Sequence, residues 1–268
     1  DETNAEVGDR TNDAIRINAE ELSCKIVAEG GNLGLTQKAR IEFDLNGGHI
    51  YTDFIDNSAG VDCSDHEVNI KILLNNIVTQ GELTMKQRNR ILQEMTDQVA
   101  ALVLLDNYRQ TQAISLAASS GVKHLDLFAR FLQDLEQQDK IDRELECLPE
   151  DETITERKSK GKGLTKPEIA VLLAYSKIVL KEQILATDIP DDPYFRKFLV
   201  YEFPGYLRGK YYNQMQSHSL KREIIATQIS NRLVNEMGAV FIHRMLEESG
   251  ASVSDIVRAY VISWKVFA

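Results

Sequence analysis

The sequence predicts a mainly α protein: a small α/β part at its beginning, then an all-helical remainder. Two observations predict this. Glycines and short apolar runs concentrate in the first 64 residues. From Ser64 onward, apolar residues recur at helical spacing behind repeated helix-start signatures. The expected domains are residues 1–76 and 77–268, the second carrying a charged connection at about 142–163.

In order along the chain, Lys25-Ile26-Val27-Ala28 reads as a short buried strand running into the glycine-rich turn Glu29-Gly30-Gly31-Asn32-Leu33-Gly34. Thr36 to Asn46 supports two readings. Alternating Ile41, Phe43 and Leu45 before Asn46-Gly47-Gly48 suit a hairpin, whereas Thr36 as an N-cap and Gly47 beyond the C-cap suit a short helix. His49 to Phe54 reads as a second strand either way. Ser64-Asp65-His66-Glu67 fits a capping box ahead of Val68, Ile72 and Leu73. Thr84-Met85-Lys86-Gln87 is a second box, opening one long helix with Ile91, Met95, Val99 and Leu102 on a stripe. A third helix spans Val122 to Gln138. Thr165-Lys166-Pro167-Glu168 combines an N-cap threonine, a first-turn proline and a returning glutamate, ahead of Val171, Leu172, Tyr175, Val179 and Ile184. A long helix is expected from about Ser219 to Gly250, and a last one from Ser252 to about Trp264. Asp142 to Gly163 reads as the least structured stretch, acidic first and then basic.

Charge and composition narrow the function classes. Lys plus Arg is 31 against 41 for Asp plus Glu, a net charge of −10 that argues against a nucleic-acid partner. The longest apolar candidate, Val99 to Leu105, falls well short of the roughly 20 residues of a membrane span. The chain opens Asp1-Glu2-Thr3-Asn4, with no secretory pattern and no initiator methionine, so a piece of a longer cytoplasmic chain is expected. Cys24, Cys63 and Cys147 form no CxxC pair, and the five histidines show no HExxH spacing. Reduced thiols and no metal site are therefore expected.

Motif content gathers between Ala28 and Glu67. The glycine turn follows a strand, as ligand-binding turns in open α/β sheets do, and Asp53-Phe54-Ile55-Asp56-Asn57-Ser58-Ala59-Gly60-Val61 follows the second strand. Two such turns at neighbouring strand ends would face one crevice; tight backbone packing with asparagine turn bonds is the competing reading. Lys158-Ser159-Lys160-Gly161-Lys162-Gly163 lacks the glycine spacing and Lys-Ser/Thr ending of a phosphate loop.

Ala28-Glu29-Gly30-Gly31-Asn32 resembles the glutamate dehydrogenase pattern (V/A)EGAN, and Thr36 and Ala39 match part of its TPEA segment. Asp53, then Asn57-Ser58-Ala59-Gly60-Val61, Ser64 and Glu67, resemble its PD…NAGGV..S..E segment, in the family's order and spacing. Glu29 to Gln37, Asp56 to Lys71 and Gly163 to Glu168 are more closely similar to the large bacterial NAD-specific glutamate dehydrogenases, and the likeness covers most of the chain. Gly31 and Ser58 depart from the commoner GAN and NAGGV.

The resemblance implies the C-terminal portion of such an enzyme. It implies the C-terminal edge of a Rossmann-like dinucleotide-binding domain followed by an all-helical domain, with parallel strands near 24–28 and 49–54 and a helix between them. Asn32 and Asn57 would contact NAD on the nicotinamide side, and Ser64 would hold a carboxylate of glutamate. A Ser64 N-cap would add free N–H groups and the helix dipole to that last role. The family's catalytic lysine and aspartate are expected upstream, so no catalytic residue is assigned here. The implied partners are L-glutamate and 2-oxoglutarate and the rest of the parent chain, itself a homo-oligomer, with no membrane. The competing reading is a helical interaction or regulatory module. Whether Asn32, Asn57 and Ser64 line one face separates the two.

Overall fold

The computed structural model describes residues 3–267. Helix accounts for 70% of the chain and strand for 1%, and no sheet forms among the described residues. The expected α/β edge is therefore corrected to an all-helical fold. Only an isolated parallel bridge joins Ile26 to His49, through Val27 N–H to the His49 carbonyl (3.0 Å) and His49 N–H to the Lys25 carbonyl (2.8 Å). Two segments touching at one residue supply too few ladder bonds and too little covered surface for a sheet, and Ile26 is 70% exposed. Past Thr52 the chain turns into helix instead of extending to Phe54.

A single turn, α1 (Asn4–Val7), is followed by α2 (Gln37–Leu45), capped by Thr36 whose hydroxyl accepts from Ala39 N–H at 3.1 Å. This is the helical alternative for that segment rather than the hairpin. Next come α3 (Asp53–Asp56) and the 22-residue α4 (Ser58–Thr79), which runs through residue 76. Helix α5 (Met85–Glu94) opens on the Thr84–Gln87 capping box and stops at Met95, and α6 (Thr96–Ser119) begins beyond it. The single helix expected here is thus two. Buried Met95 at the junction preserves the phase of the apolar stripe, so periodicity carries no trace of the break.

Helix α7 (Leu125–Gln137) follows a turn of 3-10 helix. Inside the stretch expected to be unstructured lies α8 (Asp151–Ser159). Ile154 is its one buried residue, too little for a periodic signal; ion pairs fix the segment instead. Arg143, 4% exposed, bonds Glu136 and Asp151 at 2.7 Å, and Arg157 bonds Glu168 at 2.6 Å.

Helix α9 (Lys166–Leu185) keeps the predicted Thr165–Glu168 box and forms the centre of the molecule, with Ile169 to Leu173 buried without interruption. Short helices α10 (Arg196–Glu202), α11 (Gly205–Lys210) and α12 (Tyr212–Met215) lead to α13 (Lys221–Met237). Gly238, at φ +91°, ends α13, so the long helix expected to Gly250 is divided into α13 and α14 (Phe241–Ser249). Gly250 terminates α14 in the left-handed conformation, and α15 (Val253–Phe267) follows behind Ser252.

Helix α9 packs on α13, α6 and α2; α4 lies on α6 and α10 on α13. One large core extends from Ile55 to Val261. A second, small cluster of Ala19, Phe43 and Ile50 sits under the glycine turn. Lys166 ties that region to the start of α9 through Asp44 (3.2 Å) and His49 (3.1 Å). Among the described residues, no helix is long and apolar enough to cross a membrane.

Candidate functional site

The glycine turn is held from below by carboxylates. Arg40 of α2, 1% exposed, pairs with Glu29 and donates to the Tyr51 carbonyl at 2.9 Å. Glu29 in turn accepts from Gly34 N–H, and its own N–H donates to Asp56 at 2.8 Å. Leu33 N–H donates to Asp53 at 3.2 Å. Burial raises the Asp56 carboxyl above its ordinary value, against the pull of the Glu29 N–H. Asn32 and Leu33 are both left-handed, at φ +61° and +63°. Asparagine tolerates that conformation, whereas at leucine it costs of order 1 kcal/mol.

The result brings the two predicted asparagines together: Asn57 Nδ2 donates to Asn32 Oδ1 at 3.3 Å. Gly60 makes room for this, since a Cβ there would stand 3.0 Å from Asn57 Oδ1. The turn's N–H groups at Leu33 and Gly34 are spent on carboxylates of the protein itself. The Asn32 amide NH₂ and the Asn57 amide oxygen, a donor and an acceptor, take no other side-chain bond among the described residues.

Ser64 is exposed, but it is not an N-cap. Helix α4 begins six residues earlier, and the Ser64 hydroxyl donates to the Gly60 carbonyl at 3.1 Å. The first-turn N–H groups and the positive dipole end therefore lie at Ser58, and the N-terminal basis for anion binding at Ser64 does not hold. The helical repeat nonetheless places Ser64, seven residues after Asn57, on the same face of α4. Val61 (66% exposed) and Val68 (51% exposed) follow the same helical repeat, and Val61 also borders the cleft described below.

The opposite face of α4 carries polar groups that sequence reasoning did not assign. His66 is 2% exposed; its Nδ1 lies 3.2 Å from Glu202 of α10 and its Nε2 3.8 Å from Asp62. Glu202 is anchored by Asn69 (2.9 Å) and Gln228 (2.7 Å). His218 Nδ1 accepts from Leu220 N–H at 3.1 Å, so its Nε2–H donates to the Asn69 carbonyl at 3.0 Å. Burial lowers the His218 pKa.

Asp106 of α6, Asp62, Gln110 and Lys177 of α9 line a cleft of about 280 Å³ with Asn231 and Asn235. Burial lifts Asp62 to about 6, against the pull of His66, and also raises Asp106. At His66 burial disfavours the imidazolium, but Glu202, Asp62 and Asp106 outweigh it and the pKa rises. Burial brings Lys177 down to about 8. The available signal was a polar residue on each of three apolar stripes: His66 before Ile70 and Leu73, Gln110 before Ala113 and Ile114, Lys177 before Leu180 and Ile184. Adjacent Glu67 points elsewhere, to Lys71.

The paired amides thus sit on the glycine turn and at the junction of α3 and α4, beside an ionic cleft built from α4, α6 and α9. Comparison with known proteins gives the class. The family model for the catalytic domain of bacterial NAD-glutamate dehydrogenase matches residues 1–117, and that for the C-terminal region of glutamate dehydrogenase matches residues 161–268. The chain belongs to the bacterial NAD-glutamate dehydrogenase family. It is 53% identical over 263 residues to the NAD-specific glutamate dehydrogenase of Halomonas elongata, 53% over 266 residues to that of Pseudomonas aeruginosa, and 44% over 266 residues to that of Mycobacterium tuberculosis. These alignments cover 98%, 99% and 99% of this chain, which spans 16% of the length of each relative. Asp62, His66 and Asp106 fall in the first matched segment, Lys177 and Glu202 in the second.

Proposed function

We propose that this chain is part of a cytoplasmic NAD-dependent glutamate dehydrogenase. That enzyme converts L-glutamate, NAD and water to 2-oxoglutarate, ammonium, NADH and a proton. NAD supplies the hydride acceptor when bound. The Asn32–Asn57 pair contacts its nicotinamide side, and Ser64 holds a carboxylate of the substrate. The observation that carries this reading is the 3.3 Å hydrogen bond between Asn57 and Asn32, residues 25 positions apart that the family motifs single out separately. Ser64 on the same face of α4 supports it. In this reading the parent is a homo-oligomer, and the site is completed by chain outside the 268 residues.

The test is steady-state kinetics, following NADH formation by this chain alone and by a full-length enzyme that contains it. No residue here matches the family's catalytic lysine or aspartate. Amine deprotonation needs a positioned base, and hydride transfer needs the substrate held against the nicotinamide. The chain alone is therefore expected to be inactive, and turnover by it would refute this division of labour. In the full-length enzyme, Asn57→Ala is expected to weaken NAD binding; unchanged NAD kinetics would reduce the pair to turn structure.

A further inference from the structure

His66 occupies an apolar stripe of α4, and its imidazole is buried; Nδ1 faces Glu202 at 3.2 Å, but Nε2 has no hydrogen-bond partner among the described residues. Asp62, one turn earlier, has an equally buried Oδ2 with no partner. A buried polar atom left without a partner costs of order 1–3 kcal/mol, and here two, His66 Nε2 and Asp62 Oδ2, are gathered in one place. One donor atom each from Asp62, His66 and Asp106 lie within 4.8 Å of one another. The neighbouring cations Lys177 and Arg109 favour ionised Asp106, but neither bonds Asp62 or His66 among the described residues. Lys177 bonds only Gln110, at 3.5 Å, and makes no ion pair among the described residues. Arg109 reaches Asp106 at 3.8 Å from a half-exposed position.

We infer that Asp62, His66 and Asp106 form a binding site for a divalent transition-metal cation of the Zn²⁺ or Mn²⁺ class. One imidazole and two carboxylates are a donor set for such ions, and with a neutral ring they carry the −2 charge that balances one of them. The two ends of the ring have different surroundings, and these divide its roles. Nε2 faces Asp62, so it is the ligating nitrogen. Nδ1 faces Glu202, whose carboxylate is already fixed by Asn69 and Gln228. A metal-bound histidine characteristically donates its other N–H to a carboxylate, which sets its tautomer and ring plane. Glu202 is placed to be that positioning residue.

Helices α4 and α6 contribute the ligands, 40 residues apart, which is why no histidine spacing announces the site. Three protein ligands leave coordination positions open toward the flanking clefts: Asp62 and Asp106 line the one of about 280 Å³, His66 and Asp106 one of about 290 Å³, and Asn235, whose buried Oδ1 is also unpartnered, lines both. The ion would tie α4, and with it Asn57 and Ser64, to α6. The inference stands on the cluster's geometry and not on the activity proposed above.

The experiment is titration of the chelator-treated 268-residue chain with Zn²⁺ and separately with Mn²⁺, by calorimetry and by NMR of chain labelled with ¹⁵N-histidine. One ion per chain is expected, with the His66 ring nitrogens shifting and those of the other four histidines unmoved. His66→Gln and Asp106→Asn are expected to weaken binding more than about tenfold, and Glu202→Gln by about 10- to 100-fold. The absence of a one-equivalent binding phase, or binding that leaves the His66 ring unmoved, would overturn the site. Both readouts use the unaltered chain, so they stand even where a variant does not fold. Binding unchanged in folded His66→Gln would overturn it as well.

Discussion

Helix α4 presents two faces that differ in how they are built. The outer face carries Asn57, Val61, Ser64 and Val68; its contacts close over at most about 25 residues, and its polar groups are half-exposed or exposed. The inner face carries Asp62, His66 and Asn69, and its polar partners, Asp106, Glu202 and His218, come from up to 149 residues away. Water satisfies groups on the outer face, so a change there alters binding more than stability. On the inner face each group depends on protein partners, so a change there alters stability first.

The hardest test of that contrast is Glu202→Ala. It strands His66, Asn69 and Gln228 in a buried setting, and about 3–5 kcal/mol of stability should be lost in urea denaturation of the metal-free chain. A loss below about 1 kcal/mol would mean that the inner face is wet.

Next in size is the pH response of Lys177. Its ordinary value is 10.5 and the folded value is about 8. Below pH 8 both states hold the proton and the folded chain bears the full desolvation cost. Between about 8 and 10.5 the unfolded chain holds a proton the folded one has released, so stability climbs with pH. Wild type should gain about 3 kcal/mol relative to Lys177→Met across that window. A flat difference between the two denaturation series would place the ammonium in water.

On the outer face, Ser64→Ala should leave the chain's stability within about 0.5 kcal/mol. In a full-length enzyme it should raise the KM for glutamate by about 10- to 150-fold, the worth of a charge-assisted hydrogen bond of roughly 1.5–3 kcal/mol. An unchanged KM would leave Ser64 as a side chain bonded to its own helix.

The smallest effect belongs to Gly60→Ala. The gain in helix propensity, at most about 1 kcal/mol, opposes a Cβ standing 3.0 Å from Asn57 Oδ1. Melting temperature should barely change, while the Asn57 side-chain NH₂ resonances move as its bond to Asn32 breaks. Unmoved resonances would show that the glycine is not needed for the pairing.

Local chemistry was legible wherever it was self-contained. The boxes Thr84–Gln87 and Thr165–Glu168 were readable because a threonine and a glutamine or glutamate three residues on satisfy each other's backbone N–H groups without outside help. The same pattern at Ser64 misled. Asp65 and Glu67 follow it as a box requires, but α4 had already started at Ser58, behind Asn57, which makes no side-chain cap bond. The interruptions at Met95 and Gly238 escaped notice because the apolar period continues across them. The asparagines were found through family motifs, and the turn that joins them depends on Arg40, Glu29, Asp53 and Asp56 acting together.

Residue order alone settled the helical character of the chain, several helix ends, the acidic charge and the family. Each of these depends on residues within a few turns of one another or on composition, and water supplies whatever else they need. Packing settled the rest. It left residues 25–27 and 49 as one bridge instead of a sheet, and it divided two long helices. It also drew Asp62, His66, Asp106, Lys177 and Glu202 from four helices into one neighbourhood, with His66 and Glu202 buried and the others half-buried. Their protonation and ligand preference follow from removal of water and from the distances between groups, and neither quantity exists until the helices close on one another.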